Sequence, residues 1–103
     1  MADQPKRIQR QRTKGWRMPP NTVSVTRPGK WGNCYKVGDY RGFVQLKTAG
    51  MAVEAYRRFL NSREGATLAL EAQRELRGKN LACWCPVDAE WCHADVLLRI
   101  ANP

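Results

Sequence analysis

The sequence of 103 residues contains one histidine, two phenylalanines and no long apolar run. None of its hydrophobic stretches approaches the roughly 18 residues that cross a membrane. The segment from Lys6 to Arg17 lacks the apolar centre of a signal peptide. We therefore expect a cytoplasmic protein without a membrane partner. Its four cysteines would be reduced there, which favours a metal site or a functional thiol over a disulfide.

Acidic residues are scarce, and they are almost missing from the start of the chain. Residues 1–30 contain eight basic residues against Asp3 alone and carry +7 of the net +9. We predict that residues 1–15 form a basic arm, disordered or extended, which is either a solvated tail or a tether for nucleic acid. The predicted nucleic-acid contacts are the basic residues of this part of the chain: Lys6, Arg7, Arg10, Arg12, Lys14 and Arg17.

Residues 16–103 are long enough for a single domain with one modest core. Within it, residues 22–26 alternate and are β-branched, which is typical of a strand. The short apolar run of residues 80–84, which follows Gly78, predicts a second, buried strand. Residues 34–47 suit either a short hairpin or an irregular crossing.

Apolar residues at helical spacing predict helices over residues 48–62 and 65–77, the first of them capped by Thr48. A third helix is predicted from Asp88 onwards, with Asp88 as its cap. This order of elements is typical of a crossover between parallel strands. We therefore expect an α/β fold: a small single domain, three-layer-like, with about three helices and a short, at least partly parallel sheet.

Three of the four cysteines and the only histidine lie near the end of the chain. These residues, here called the Cys-His motif, are Cys83, Cys85, Cys92 and His93. The first two fall at the end of the second predicted strand, and the last two fall in the first turn of a predicted helix. A strand end beside a helix N-terminus is a frequent ligand site because the free N–H groups favour anions and thiolates.

The loop of residues 27–33, after the first predicted strand, is basic and contains two glycines. If the two strands are parallel, this loop lies at the same sheet edge as residues 85–93. We combine the two loops into one predicted site, although an ordinary surface turn is the alternative for the first. The predicted ligand-binding residues are Arg27, Lys30, Asn33 and Cys85, and the predicted catalytic residues are Cys92 and His93.

Three interpretations of the Cys-His motif remain open. Its four residues suit zinc, but a Cys-x-Cys pair on a strand and an adjacent Cys-His pair on a helix should point apart. We therefore expect no cofactor and less than one zinc ion per chain, with zinc as the alternative. In a functional thiol site, the helix N-terminus would lower the pKa of Cys92. In the third interpretation, which is favoured for Cys83, the cysteines are small buried hydrophobic residues and His93 is structural.

The sequence resembles the bacteriophage and bacterial family known as domain of unknown function 4326 over nearly its whole length. The most specific motifs are Leu-Ala-Cys-Trp-Cys at residues 81–85 and Cys-His-Ala-Asp at residues 92–95. Further matches are residues 7–8, 15–19, 27–28, 30–33 and 76–79. The resemblance implies a phage or prophage origin and brings no established activity.

Our leading hypothesis is that the protein binds, and could process, a phosphorylated, nucleotide-like ligand between Arg27 and Cys92. The alternative is a zinc-stabilised module that binds nucleic acid through its basic arm. A phage protein that docks on a host protein is a third hypothesis, for which the sequence contains no specific motif.

Overall fold

The chain folds into three helices and five short strands in a computed structural model that describes residues 4–27, 29–86 and 88–103. In chain order these elements are β1 (Arg7–Gln9), β2 (Thr22–Ser24), β3 (Tyr40–Arg41), β4 (Val44–Gln45), α1 (Ala49–Leu60), α2 (Ala66–Glu75), β5 (Asn80–Cys83) and α3 (His93–Ala101). The predicted α/β class is confirmed. Residues 1–3 of the predicted arm and Pro28 of the predicted loop lie outside the described residues. Within the described part, every helix is too short or too polar to cross a membrane.

The central strand of the sheet is β5, which pairs in parallel with β1 on one side and with β2 on the other. Leu81, Ala82 and Cys83 are buried, in agreement with the apolar run that predicted this strand. The parallel pairing of β2 and β5 also confirms that their carboxyl ends share one edge of the sheet. The residues that follow each strand are therefore neighbours in space.

The segment around β1 is extended, which is one of the two alternatives predicted for residues 1–15, and it pairs with the central strand of the sheet. Ile8 lies opposite Ala82 in the sheet, and Leu81 donates its N–H to the Lys6 carbonyl at 3.0 Å. Arg10 in turn donates its N–H to the Cys83 carbonyl at 2.7 Å. The backbone of β5 has no other strand on this side, so the N-terminal segment satisfies groups that would otherwise be left unpaired.

Deleting residues 1–10 should therefore destabilise the domain. The loss of β1 leaves N–H and carbonyl groups of a buried strand without partners, which should lower the free energy of unfolding by on the order of 3 kcal/mol. Urea denaturation measures this change. Neutralising Lys14, an exposed residue outside the strand, is the control. An unchanged denaturation midpoint after the deletion would show that β1 does not contribute to the stability of the domain.

The helices follow their local signals closely. Thr48 caps α1 by accepting the N–H of Met51 at 3.1 Å. Gly78 adopts φ +77° shortly after α2, a conformation that favours glycine. The start of α3 differs from its prediction: Cys92 is its N-cap and the helix begins at His93, not near Asp88. The apolar spacing that the helix requires begins only with residue 94, which is why the polar residues before it remain a loop.

The core lies between the sheet and the helices, where α3 contacts β5, α1 and α2. Leu81, Leu97, Leu60 and Leu76 are among its fully buried side chains. The remaining strands, β3 and β4, form an antiparallel hairpin, which confirms one of the two alternatives for this region. Its turn contains Gly42 at φ +62°.

Candidate functional site

Three cysteines of the Cys-His motif converge at the carboxyl end of β5. The sulfur atoms of Cys83, Cys85 and Cys92, here called the thiol cluster, all lie within 4.8 Å of one another. The sulfurs of Cys83 and Cys92 are 3.3 Å apart, and both residues are buried. Cys83 and Cys85 were expected to share one face, but the expectation that the set as a whole diverges is wrong for the three cysteines, since Cys92 joins this pair where β5 ends and the chain bends. Three soft ligands so close together could hold a metal ion.

His93 lies outside this group of three. Its Nε2 donates to the Val25 carbonyl at 2.6 Å, and its ring packs edge-on against Tyr56 at a centroid distance of 5.7 Å. That bond directs Nε2 of His93 to the backbone of residue 25, and His93 is not one of the three residues whose ligand atoms converge. His93 connects the start of α3 to the residue that follows β2.

The charges around the thiol cluster favour a thiolate at Cys92. Hydrogen bonding with the Cys83 thiol holds the pKa of Cys92 well below its usual range, and His93 and the N–H of Ala94 act in the same direction against burial. The pKa of Cys83 is raised, by its bond to Cys92 and by burial. Of these two thiols, Cys92, at the N-terminus of α3, is the one whose deprotonation the surroundings favour.

Arg7 provides a positive charge beside this thiolate. Burial alone would lower the pKa of Arg7, but its contacts with Cys92 and Asp95 outweigh that effect and raise it. The Arg7 Nε lies 3.4 Å from an Asp95 oxygen, and Nη2 donates to the Ala89 carbonyl at 2.9 Å. Sequence reasoning assigned Arg7 to the nucleic-acid arm and missed its place at the cluster, since only the pairing of β1 with β5 brings it there.

The residues predicted to bind a ligand in the loop after β2 make contacts within the protein. Arg27 donates to the carbonyls of Asn33, at 2.7 Å, and of Tyr35, at 3.0 Å. Lys30 forms ion pairs with two glutamates of α2, which raise its pKa. The buried Asn33 donates to the Ala52 carbonyl at 3.2 Å. A ligand at this loop would have to compete with all these contacts.

A cavity of about 440 Å³ lies between α1 and α3, and Cys92 is among the residues that line it. Arg27, Lys30 and Asn33 do not line this cavity. Its charged residues are three carboxylates and two guanidiniums: Glu54, Glu90, Asp95, Arg57 and Arg99. This balance does not favour a phosphate group. A pocket shared by Arg27 and Cys92 therefore stays a prediction.

Trp84 lies between two cysteines of the thiol cluster in the sequence, yet its side chain is 40% exposed. The guanidinium carbons of Arg10 and Arg12 lie over its ring, 4.5 Å and 4.4 Å from the centroid. Arg10 also donates to the hydroxyl groups of Ser24 and Thr26. Two of the predicted nucleic-acid residues are thus held on one aromatic side chain. The other exposed residues of that set are Lys6, Lys14 and Arg17.

Alkylation should distinguish the exposed thiol of Cys34 from the two buried thiols of the cluster. Cys34 is exposed and its pKa is raised by partial burial of the sulfur, so its labelling by iodoacetamide should increase at alkaline pH. Cys83 and Cys92 are 2% exposed and should stay unlabelled in the folded protein. Peptide mapping by mass spectrometry measures the adducts. Preferential labelling of Cys92 at neutral pH would instead support the catalytic thiol.

A small α/β domain with a parallel three-stranded sheet and a buried thiol cluster defines the structural class of this protein. The chain belongs to the family described as Domain of unknown function (DUF4326), whose model matches residues 8–103. The match confirms the resemblance found in the sequence. Neither the curated proteins nor the solved structures contain a match to this chain.

Proposed function

We propose that this protein is a zinc-stabilised module that binds single-stranded nucleic acid. The observation that carries the proposal is that residues 83–85 contribute to two features at once, the thiol cluster and an exposed aromatic surface with two arginines. Cys83 and Cys85 belong to the thiol cluster, while Trp84 between them is exposed and stacked with Arg10 and Arg12. A metal ion bound by the cysteines would therefore also position the aromatic side chain and its two cations.

The thiol cluster has the chemistry of a zinc site. Thiolates are preferred ligands of Zn²⁺, and three of them with one divalent ion leave a net charge of −1. Arg7 is placed to balance this charge, since it contacts both Cys92 and Asp95. Cys83, Cys85 and Cys92 are the proposed ligands, and the fourth position is left to an exogenous group.

The surface around Trp84 has the chemistry of a nucleic-acid contact. Successive bases stack on aromatic rings and on guanidinium planes, and arginines neutralise phosphates. Arg10 and Arg12 can serve both purposes beside Trp84. The net charge of +9, most of it in residues 1–30, adds a long-range attraction for a polyanion. Reduced thiols and nucleic acid both suit the cytoplasm, where we place this function.

Fluorescence anisotropy with labelled single-stranded and duplex oligonucleotides tests the proposal. Binding should favour single strands, because only unpaired bases can stack on Trp84. Affinity should fall steeply between about 50 and 200 mM salt, as counterion release requires. Equal affinity for single strands and for a duplex of the same length would contradict the stacking role of Trp84. Absence of binding at low salt would contradict the proposal as a whole.

A further inference from the structure

The β3–β4 hairpin presents an unusual number of apolar side chains to solvent. Eight large hydrophobic residues of the described chain are exposed, and four of them lie within residues 37–44. These four are Val37, Tyr40, Phe43 and Val44. Of these four, Val44 lines the groove described next, and exposed apolar side chains grouped in one short segment are a typical feature of a protein interaction site.

A groove runs between this hairpin and α1, with a volume of about 730 Å³. Its apolar residues are Val44, Leu46, Met51, Ala55 and Trp91. Trp91 is 49% exposed and its ring lies closely over Gly50, where a side chain would meet the indole at about 3 Å. The groove can therefore accept large apolar side chains from a partner.

The charged residues of the groove indicate which partner it fits. Arg41 and Arg58 line it together with Glu54. The carboxylate of Glu54 is paired with Arg57 and Arg58, which lower its pKa to about 2. Arg41 makes no ion pair within the described residues and remains available to an external carboxylate. A second copy of this chain is a poor occupant, because two proteins of net charge +9 repel each other.

We infer that the hairpin groove binds an acidic, amphipathic segment of another protein. Apolar side chains of that segment enter the groove beside Trp91, and its carboxylates pair with Arg41 and with the outer face of Arg58. This interaction is separate from the surface around Trp84, which belongs to a different part of the sequence and carries cations on an aromatic ring. The protein could thus hold a nucleic acid and a protein partner at the same time.

A synthetic amphipathic helical peptide with leucine and tryptophan on one face and glutamate on the other is the probe. Titration into ¹⁵N-labelled protein should shift the amide signals of the hairpin and α1. The double variant Arg41→Glu, Val44→Ser should weaken binding by at least about tenfold. Leu70→Ser is the matched control, since Leu70 is as exposed as Val44 but lies outside the groove, and it should bind like the unaltered protein.

Three results would overturn the inference. The first is absence of binding by the glutamate peptide, and the second is equal binding of a peptide in which lysine replaces every glutamate. The third is that an oligonucleotide, and not the peptide, shifts the amide signals of the groove residues. The groove would then be part of the nucleic-acid surface. Oligonucleotide affinity measured on the same double variant keeps this test independent of the function proposed above, because it should change only by the small amount that the lower net charge causes.

Discussion

Protein purified from zinc-supplemented cells should contain one zinc ion per chain, and each of Cys83→Ser, Cys85→Ser and Cys92→Ser should remove it. Each substitution takes one of three thiolates from a cluster in which all sulfurs lie within 4.8 Å. Structural zinc contributes about 10–16 kcal/mol in small zinc domains. That is comparable to the whole stability of a typical domain, about 5–15 kcal/mol. Chelation should therefore unfold the protein.

Elemental analysis measures the zinc content, and circular dichroism follows unfolding during chelation. Substitution with Co²⁺ adds a direct readout, because thiolate ligation produces strong charge-transfer absorption that the three variants should lose. Cys34→Ser is the matched control, since Cys34 is an exposed cysteine outside the thiol cluster. Metal-free protein that is fully folded and insensitive to chelators would contradict the zinc part of the proposed function. It would support the interpretation that the cysteines are small buried hydrophobic residues.

The second large effect should come from the surface around Trp84. Stacking of one base on an aromatic ring contributes about 1–3 kcal/mol, so Trp84→Ala should weaken single-strand binding by roughly five- to 150-fold. The double variant Arg10→Gln, Arg12→Gln should instead flatten the salt dependence, by about 1.4 in the logarithmic slope if each arginine neutralises one phosphate. Anisotropy titrations at several salt concentrations separate the two changes.

Arg63→Gln is the control for charge, because Arg63 is an exposed arginine in the connection between α1 and α2. Arg63→Gln should change the affinity and the salt slope by less than the double variant Arg10→Gln, Arg12→Gln does. Zinc content must be measured on Trp84→Ala as well, since Trp84 lies between two proposed ligands. Retained zinc with unchanged oligonucleotide affinity would contradict the nucleic-acid surface while leaving the metal site intact.

Local signals in the sequence predicted most of the regular structure. The cap at Thr48, the glycine at residue 78 and the apolar run of β5 each depend on a few neighbouring residues. The strand β1 had no such signal, because it is three residues long and includes the charged Arg7. What makes it a strand is an unpaired side of β5, which is distant in sequence.

The candidate site was predictable in composition but not in arrangement. The Cys-His motif lies where β5 ends and α3 begins, as predicted, and Cys92 is the N-cap of that helix. The spacing of Cys83 and Cys85 predicts that they share one face, but the convergence of Cys92 with them depends on the loop between β5 and α3, which the spacing does not reveal. The sequence did not show that Arg27 and Asn33 form hydrogen bonds within the protein. Both side chains donate to backbone carbonyl groups, whose positions depend on the fold and not on the identity of the side chains.

The strand order β1-β5-β2 also determines when the sheet can form. Arg7 and Val23 both pair with Leu81, so neither β1 nor β2 has a sheet partner until most of the chain has been synthesised. Contacts this distant in sequence slow folding, because the intervening chain must lose entropy before they form. During synthesis, the basic segment around β1 therefore has no partner in the sheet until β5 has been made. Under the function proposed above, this segment would be free to contact RNA before the domain folds.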